Sequence, residues 1–585
     1  MKRLSNAAIL VGVLLAPCAT WAYDPAPVPA RHDMVVSAQA LATAAGLDMF
    51  KQGGNAVDAA VAVGYALAVV YPAAGNLGGG GFMTLRLADG RATFLDFREK
   101  APLAATSTMF LDSTGEIAKG RSTDTWLAVG VPGSAAGLEA ARARYGMLPR
   151  AAVLAPAIRL AREGFLLNQG DVALLQLGTD AFRRDPAATA IFLPGGHPLQ
   201  PGERLIQPDL ARTLEALSAK GPDVFYRGPI GDKIVAASRA GGGILQKGDF
   251  ENYKVRELSP VACTYRGYQV QSAPPPSSGG TVICEILNIL EGYDLRGMGF
   301  HSAAEVHVLV EAMRHAFLDR NIQLGDPDFI QNPVARLLDK GYAAAIRASI
   351  DKERATPSAA LQSGVPPHEG MNTTQFSVMD RFGNAASVTY TLNDWFGIRR
   401  VAAGTGILMN NEMDDFTSKP GASNMFGLVQ GEANAIAPGK TPLSSMAPTI
   451  ISRDGKTVMV TGSPGGPRII TVTLEAILNV IDHGMTVQEA IDAPRIHHQM
   501  LPDTVYIERF ALSPDTRALL EQRGYTFTES APWGMAESIV AGEPRLTPSG
   551  FGSARSLNLV LPVVPGATLF GAHDPRGPAG AASGD

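Results

Sequence analysis

Two threonines, Thr373 and Thr391, are the residues of this chain whose types and spacing could do covalent chemistry. They lie in residues 371–378 and 387–393, two runs that alternate apolar with small hydroxyl residues and are rich in β-branched side chains, as strands are. The loop between them carries glycine and asparagine where a hairpin turn requires them. Because each threonine is nine residues from Phe382, a hairpin centred there places the two opposite each other, roughly 5 Å apart.

Threonine is a poor nucleophile unless a base lies beside it, and its own α-amino group is one such base. That amine exists only if the chain is cut between Asn372 and Thr373. The preceding residues, 366–372, are polar and turn-prone and could hold this bond under strain. Threonine pairs in strands are mostly structural, so the pair alone is weak evidence, and the motifs downstream are what favour a nucleophile.

Gly465 and Gly466 follow a strand-like run, residues 457–462, and precede a helical pattern over residues 469–481. Glycines between a strand and the start of a helix leave backbone N–H groups unpaired. Such donors suit a developing oxyanion. The alternative is a simple βα turn, which we would prefer if the threonine hairpin were absent.

Motifs in both halves of the chain occur in a fixed order. The first half contains GGGGF at 78–82, DFRE at 96–99 and GDPDF at 325–329, and the second contains NTTQ at 372–375, TYTLN at 389–393, NNEMDDF at 410–416, PLSSM at 442–446 and TGSPGG at 461–466. The ordered set resembles the γ-glutamyltranspeptidases, members of the N-terminal-nucleophile hydrolase superfamily. Any single motif is weak, but the set is specific and extends over nearly the whole chain after the first few dozen residues.

The resemblance implies a mechanism in which the chain first cuts itself before Thr373. The freed Thr373 then attacks the γ-amide of glutathione or a related γ-glutamyl compound, while Thr391 steadies its side chain. The amides of Gly465 and Gly466 hold the oxyanion, and water or the amine of an amino acid or peptide releases the γ-glutamyl ester. The mechanism needs no metal and no cofactor.

The same resemblance implies a site for the zwitterionic head of the donor. The residues that match binders of the α-carboxylate are Arg98, Ser444 and Ser445, and the planar fork of an arginine suits that task. The residues that match binders of the α-amine are Asn393, Glu412 and Asp415. Opposed charges at the two ends select a zwitterion, which a plain amidase does not require.

Several positions depart from the most familiar bacterial pattern of the family. Phe426 stands where a lid tyrosine is common, Asp394-Trp395 replaces small polar residues, and Pro467 stands where serine is usual. A segment at roughly 543–567 looks inserted. We expect Trp395 and Phe426 around the acceptor side, so these changes concern the acceptor and leave the donor chemistry intact.

The elements that position these residues require a large core. The chain has 585 residues, of which 46% are hydrophobic and 18% charged, where about a quarter is usual for charged residues. The pattern of residues 34–52 and 55–71 predicts two alanine-rich helices. The second is apolar almost all round, but it is too short to span a bilayer and it carries Asp58, so we expect a core helix. A short strand is predicted at residues 92–97, and it places Arg98 at its end. Composition and periodicity alone support a layered α+β fold, and the resemblance makes it a four-layer αββα sandwich.

The sequence predicts where the chains of the mature protein begin and end. Residues 1–22 have the positive start, apolar core and small cleavage residues of a secretory signal, which predicts a periplasmic or secreted protein. A lipoprotein signal ending at Cys18 is the alternative, although Pro17 fits it badly. Residues 361–372 form the natural internal linker, so processing yields a heterodimer of a large subunit, 23–372, and a small subunit, 373–585, intertwined in one αββα unit.

The two remaining cysteines, Cys263 and Cys284, leave two readings open. An oxidising compartment permits a disulfide between them. However, Cys263 lies in a strand-like run and Cys284 in an apolar helical run, so we favour two buried free thiols.

The sequence does not support a zinc enzyme, a nucleotide-binding enzyme or a serine hydrolase. His307, Glu311 and His315 share a helix face but lack the His-Glu-x-x-His pattern of zinc enzymes. Residues 437–441 resemble the end of a phosphate-binding loop without its first glycine, and no Gly-x-Ser-x-Gly elbow occurs. A net charge of −5 gives no reason to expect nucleic acid or a membrane surface as partner.

Two further functions stay open on the same fold. One is an acylase of the glutaryl-cephalosporin type, which has no use for a complete α-amine site. The other is an inactive periplasmic binding protein, which needs neither the cleavage site nor Thr391.

Overall fold

The computed structural model describes residues 26–361, 372–425, 428–543, 545–546 and 566–585. The expected signal peptide, the lid residue Phe426, and most of both the internal linker and the insertion at roughly 543–567 lie outside the described residues. Within the described ranges, no helix is both long enough and apolar enough to cross a membrane.

The secondary structure mixes many short strands with helices. In chain order the strands are β1 (Val28–Ala30), β2 (Met34–Ser37), β3 (Gly80–Arg86), β4 (Ala92–Phe97), β5 (Phe165–Leu166), β6 (Arg204–Leu205), β7 (Arg256–Leu258), β8 (Val261–Tyr265), β9 (Tyr268–Ser272), β10 (Thr374–Met379), β11 (Ala385–Thr391), β12 (Val401–Ala402), β13 (Ile407–Leu408), β14 (Thr449–Arg453), β15 (Lys456–Thr461), β16 (Ile496–His497), β17 (Val505–Glu508), β18 (Phe527–Ser530), β19 (Glu537–Ala541), β20 (Leu569–His573) and β21 (Ala581–Gly584).

The helices are α1 (Ala40–Lys51), α2 (Ala56–Val70), α3 (Ser134–Tyr145), α4 (Arg150–Glu163), α5 (Gln169–Phe182), α6 (Pro186–Phe192), α7 (Pro208–Lys220), α8 (Asp223–Tyr226), α9 (Pro229–Ala240), α10 (Lys247–Glu251), α11 (Gly279–Leu290), α12 (Leu295–Met298), α13 (Ala303–Gln323), α14 (Val334–Leu337), α15 (Lys340–Ser349), α16 (Arg468–Ile481), α17 (Val487–Asp492) and α18 (Pro514–Gln522). Short 3₁₀ turns lie between some of them, including one at Glu412–Asp415.

Two seven-stranded antiparallel sheets pack face to face at the centre of the molecule. The first has the strand order β21-β2-β10-β11-β3-β4-β7 and the second the order β1-β20-β19-β15-β14-β9-β8. Helices α1, α2 and α3 cover the outer face of the first sheet, and α11 and α17 cover that of the second, with α13 and α16 packed against α11. This is the four-layer αββα sandwich that the resemblance implied.

The β10–β11 hairpin lies in the middle of the first sheet. Thr374 pairs with Tyr390 and Met379 with Ala385, which is the register of a hairpin centred on Phe382. Every residue of both strands is buried, because α2 packs on one face and the second sheet on the other. The predicted hairpin is therefore confirmed, and its open end is held rigidly inside the core.

The two helices predicted at residues 34–52 and 55–71 are confirmed as α1 and α2, but the first prediction is wrong at its start. All residues of α2 are buried, and a capping box between Asn55 and Asp58 fixes where it begins. Residues 34–37, however, form β2 and pair with β10. Val35 and Val36 are β-branched and suit the strand, a preference that the alanine-rich pattern after them concealed.

The prediction of two free thiols is wrong, because Cys263 and Cys284 form a disulfide with Cα atoms 5.8 Å apart. Cys263 lies in β8 and Cys284 in α11, and these two elements pack directly against each other. Each residue was placed correctly in its own element, but their proximity depends on tertiary packing that neither local pattern contains.

Candidate active site

The proposed nucleophile lies at the open end of the central hairpin. Thr373 immediately precedes β10 and is 4% exposed. Its Oγ1 donates a hydrogen bond to the carbonyl oxygen of Asn372 at 2.6 Å, and Thr391 Oγ1 donates to the same oxygen at 3.2 Å. Thr391 Oγ1 in turn accepts the N–H of Asn393 at 2.9 Å. Two hydroxyls thus converge on the one carbonyl whose bond we expect to be cut.

The predicted oxyanion glycines lie where β15 leads into α16. Gly465 has a φ of +136° and Gly466 a φ of +56°. Residues other than glycine rarely adopt these backbone conformations. Gly466 lines the same cavity as Thr373, whereas Gly465 lines a neighbouring cleft. The glycine turn therefore lies between the two spaces, with the threonine hairpin beside it.

A small cavity of about 20 Å³ collects the predicted site residues. All of them except Gly465 line it: Thr373, Thr391, Gly466, Arg98, Asn393, Glu412, Asp415, Ser444 and Ser445. They come from β11, from the end of β4, from the 3₁₀ turn and from loops that are far apart in sequence. The structure brings these residues together, and their individual roles stay predictions.

The charged groups of the cavity pair with one another. Arg98 is buried and donates through its two terminal nitrogens to Glu412 and to Asp415. A third carboxylate, that of Glu99, lies 3.8 Å from Arg98. The predicted binder of a carboxylate and the predicted binders of an amine are therefore in direct contact.

Burial controls the ionisation of this cluster. It raises the pKa of Glu412 well above its usual range, and the neighbouring Glu99 and Asp415 carboxylates add to the increase, although the Arg98 guanidinium opposes it. The pKa of Asp415 is raised for the same first reason, with Arg98 again opposing. Burial would lower the pKa of Arg98, but the surrounding carboxylates outweigh it and raise the pKa, so this side chain stays charged.

Hydrogen bonds hold Ser444 and Asn393 in place around the cavity. Ser444 Oγ accepts the N–H of Met446 at 3.0 Å, and the Ser444 carbonyl accepts the hydroxyl of Ser278 at 2.7 Å. Asn393 has a φ of +76°, and its side-chain amide donates to the Asn411 carbonyl at 3.0 Å. Their polar groups are thereby fixed before any ligand contacts them.

Arg320, on α13, lines the cavity and was missed from the sequence. Its guanidinium donates to the oxygens of Ser278, Asn321, Gln430 and Ser445, the last at 3.3 Å. Burial lowers its pKa to about 10. The available signal was its helical spacing from the core residues Met313 and Phe317, which puts a charged residue on a buried helix face.

A second cleft, of about 500 Å³, lies on the other side of the glycine turn. Asn372, Asp394, Trp395, Gly465 and Trp533 are among the residues that line it. Trp395 was expected near the acceptor side, and the structure places it in a cleft that adjoins the nucleophile. Trp533 was not singled out from the sequence.

The described residues contain no cluster of histidine, cysteine and acidic side chains that could hold a metal ion. Two of the three residues considered as zinc ligands make other contacts. His307 contacts the Asp351 carbonyl and Tyr525, and Glu311 pairs with Arg314.

A four-layer αββα sandwich with a buried threonine at the start of a central strand defines the class of N-terminal-nucleophile hydrolases. Comparison with known proteins narrows this class. The family model of the γ-glutamyltranspeptidases matches residues 42–551, and the chain belongs to that family.

Individual relatives agree with this assignment. A glutathione hydrolase proenzyme of Pseudomonas sp. (strain A14) is 57% identical over 100% of both chains. One of Escherichia coli (strain K12) is 45% identical over 98% of this chain and 97% of its own. Among solved structures, a cephalosporin acylase from Bacillus halodurans is 27% identical, with a TM-score of 0.81 over 98% of this chain and 99% of that one.

Proposed function

We propose that the chain is a γ-glutamyltransferase that also hydrolyses glutathione and other γ-glutamyl compounds, acting through a γ-glutamyl ester of Thr373. The observation that carries the proposal is the cavity beside Thr373, in which Arg98 contacts Glu412 and Asp415. The printed names of the full-length relatives, glutathione hydrolase proenzymes, support it.

Maturation is the first reaction. Thr373 Oγ1 attacks the carbonyl carbon of Asn372, the C–N bond breaks, and the nitrogen of Thr373 takes up the hydroxyl proton and becomes an amine. Water then hydrolyses the resulting ester and releases Asn372 as a carboxylate. The convergence of Thr373 and Thr391 on the Asn372 carbonyl oxygen supports this route, because it holds the Thr373 hydroxyl beside the carbonyl group that it attacks.

Catalysis reuses the same hydroxyl. The free amine of Thr373 accepts its hydroxyl proton, directly or through water, as Oγ1 attacks the γ-carbonyl of the donor. The N–H groups of Gly465 and Gly466 stabilise the oxyanion, and the leaving amine takes the proton. Water or an amine then attacks the ester and regenerates Thr373. Thr391 steadies the nucleophile throughout.

Recognition follows from the charges in the cavity. An α-amino acid carries its ammonium and its carboxylate on one carbon, so the groups that bind them must lie side by side. Arg98 lies beside Glu412 and Asp415, so a bound zwitterion can replace the ion pairs among these three residues. Its carboxylate is then bound by Arg98, Ser444 and Ser445. Its ammonium is bound by Asn393, Glu412 and Asp415. A glutaryl group lacks the ammonium and leaves buried carboxylates without that partner, which is costly.

The mature protein on this proposal is a heterodimer of residues 23–372 and 373–585, exported to the periplasm or beyond after removal of residues 1–22. Its small-molecule partners are a γ-glutamyl donor and either water or an amine acceptor. The start of the sequence and the cleavage chemistry support these assignments.

A denaturing gel and a pair of anilides test the proposal. Purified protein should give two bands, the smaller beginning at Thr373 by N-terminal sequencing, and should hydrolyse γ-glutamyl-p-nitroanilide far faster than glutaryl-p-nitroanilide. The second candidate function, a cephalosporin-type acylase, is supported by the fold shared with the Bacillus halodurans enzyme and by 42% identity, over 80% of this chain, to an acylase ACY 1 proenzyme of Pseudomonas sp. (strain SE83). Equal turnover of both anilides would establish it instead.

A further inference from the structure

The side chain of Asn372, the residue before the bond to be cut, has one carboxylate partner. Its amide nitrogen donates to Asp394 Oδ1. Asn372 is 5% exposed, and a hydrogen bond to a charged group is stronger than one between neutral groups. Asp394 is also one of the positions at which the sequence departs from the familiar family pattern.

The loop after β11 holds Asp394 in place from several directions. Its own N–H donates to Asn411 Oδ1 at 2.9 Å, and its Oδ1 accepts the N–H of Trp395 at 2.8 Å. Its second carboxylate oxygen pairs with Arg399, which extends to Asp124 at 3.0 Å. The carboxylate is therefore preorganised and does not depend on Asn372 for its position.

These contacts fix Asn372 at two points. Its carbonyl oxygen receives the hydroxyls of Thr373 and Thr391, and its side chain is held by Asp394. With both ends fixed, rotation of the Asn372 carbonyl away from Thr373 Oγ1 is restricted. Small misplacements of a reacting group cost large factors in rate, so a side-chain anchor on this residue has a direct kinetic consequence.

We propose that Asp394 is a positioning residue for self-cleavage, which orients the scissile carbonyl through the side chain of Asn372. The inference rests on the proposed maturation at Asn372–Thr373. It assigns Asp394 a role in the uncut chain, separate from the donor-binding groups of the cavity.

The test follows cleavage of full-length chain made by cell-free synthesis, sampled on a denaturing gel. Asp394→Ala should lengthen the half-time of cleavage at least tenfold, because it removes a charge-assisted hydrogen bond. Asn372→Asp should slow cleavage as well, because it places two carboxylates together. The matched control is Asp124→Asn, which alters the exposed partner of the same Arg399 without touching Asn372 and should cleave within twofold of the wild type.

A double variant separates positioning from general damage to the fold. Asn372→Asp combined with Asp394→Asn exchanges the donor and the acceptor, so it should cleave at least fivefold faster than Asn372→Asp alone. A double variant as slow as Asn372→Asp, or an Asp394→Ala chain that cleaves as fast as the wild type, overturns the inference while leaving the proposed function intact. A wild-type chain that never cleaves refutes the proposed function itself, and the inference with it.

Discussion

Replacing Arg98 by lysine tests the recognition of the donor most directly. Arg98 contacts two carboxylates through two nitrogens, and we expect the same fork to hold both oxygens of the α-carboxylate. Lysine keeps the charge but offers a single nitrogen, so one hydrogen bond to a charged group is lost, worth about 1.5–3 kcal/mol. Since about 1.4 kcal/mol is a factor of ten, KM for a γ-glutamyl donor should rise about 10- to 150-fold.

The assay is steady-state hydrolysis of γ-glutamyl-p-nitroanilide by the cleaved protein, with the extent of cleavage checked on a gel. Cleavage and kcat should change little, because Thr373 and its neighbours are untouched. The matched substrate is 4-aminobutanoyl-p-nitroanilide, which keeps the amine and lacks the carboxylate, and its KM should not rise in Arg98→Lys. The matched variant is Arg314→Lys, a buried arginine on α13 that contacts Glu311 and Asp503 outside the cavity.

The result that would refute this reasoning is an equal rise in KM for both substrates. An equal rise in KM would mean that Arg98 supports the shape of the cavity and does not contact the α-carboxylate. An unchanged KM for the γ-glutamyl donor would be equally damaging, since it would place the α-carboxylate elsewhere, with Arg320 as the remaining cation of the cavity.

Other predictions address maturation, the amine site, pH and the acceptor. Thr373→Ala should stay a single, inactive chain on a denaturing gel, and a cleaved variant would point to a different nucleophile. Asp415→Asn should raise KM for γ-glutamyl-p-nitroanilide at least tenfold but scarcely change KM for the glutaryl anilide. Burial raises the pKa of Asp414 to about 7, so its stabilising contribution is present below about pH 4 and is lost as the pH rises through 7. The melting temperature should therefore fall between about pH 4 and pH 7, and less so in Asp414→Asn. Trp395→Ala should shift the ratio of hydrolysis to transfer, measured with and without glycylglycine, and an unchanged ratio would remove this ring from control of the acceptor.

The hairpin and the order of the motifs were predictable because their information is local. The turn at Phe382 fixes the register of β10 and β11, and a one-residue slip would have turned every side chain of the strand to the other face. Arg98, Glu412 and Asp415 were found because they lie inside short motifs. That Arg98 contacts the two acids could not be read from any one motif, since Arg98 follows β4 whereas Glu412 and Asp415 share a 3₁₀ turn that begins 314 residues later.

The errors and omissions share a physical cause. The Cys263–Cys284 disulfide, the role of Arg320 in lining the cavity and the contact of Asp394 with Asn372 all join elements that are distant in sequence or depend on loop conformation. The strand at residues 34–37 was missed for a related reason. The alanine-rich pattern after it concealed the strand, and its pairing with β10 is a tertiary contact that a local pattern does not reveal.

The two spaces beside Thr373 suggest why self-cleavage and catalysis do not compete. Thr373 lines the small cavity with the donor-binding groups, whereas Asn372 lines the larger cleft with Gly465 and Trp395. On the proposed mechanism, cleavage withdraws Asn372 from that cleft, and the zwitterionic head of the donor replaces the ion pairs of Arg98 in the cavity. The γ-glutamyl ester then forms with its head group in the cavity, and we expect water or an amine to reach it from the side that Asn372 left. The displacement of Asn372 after cleavage would thus open the route of the acceptor.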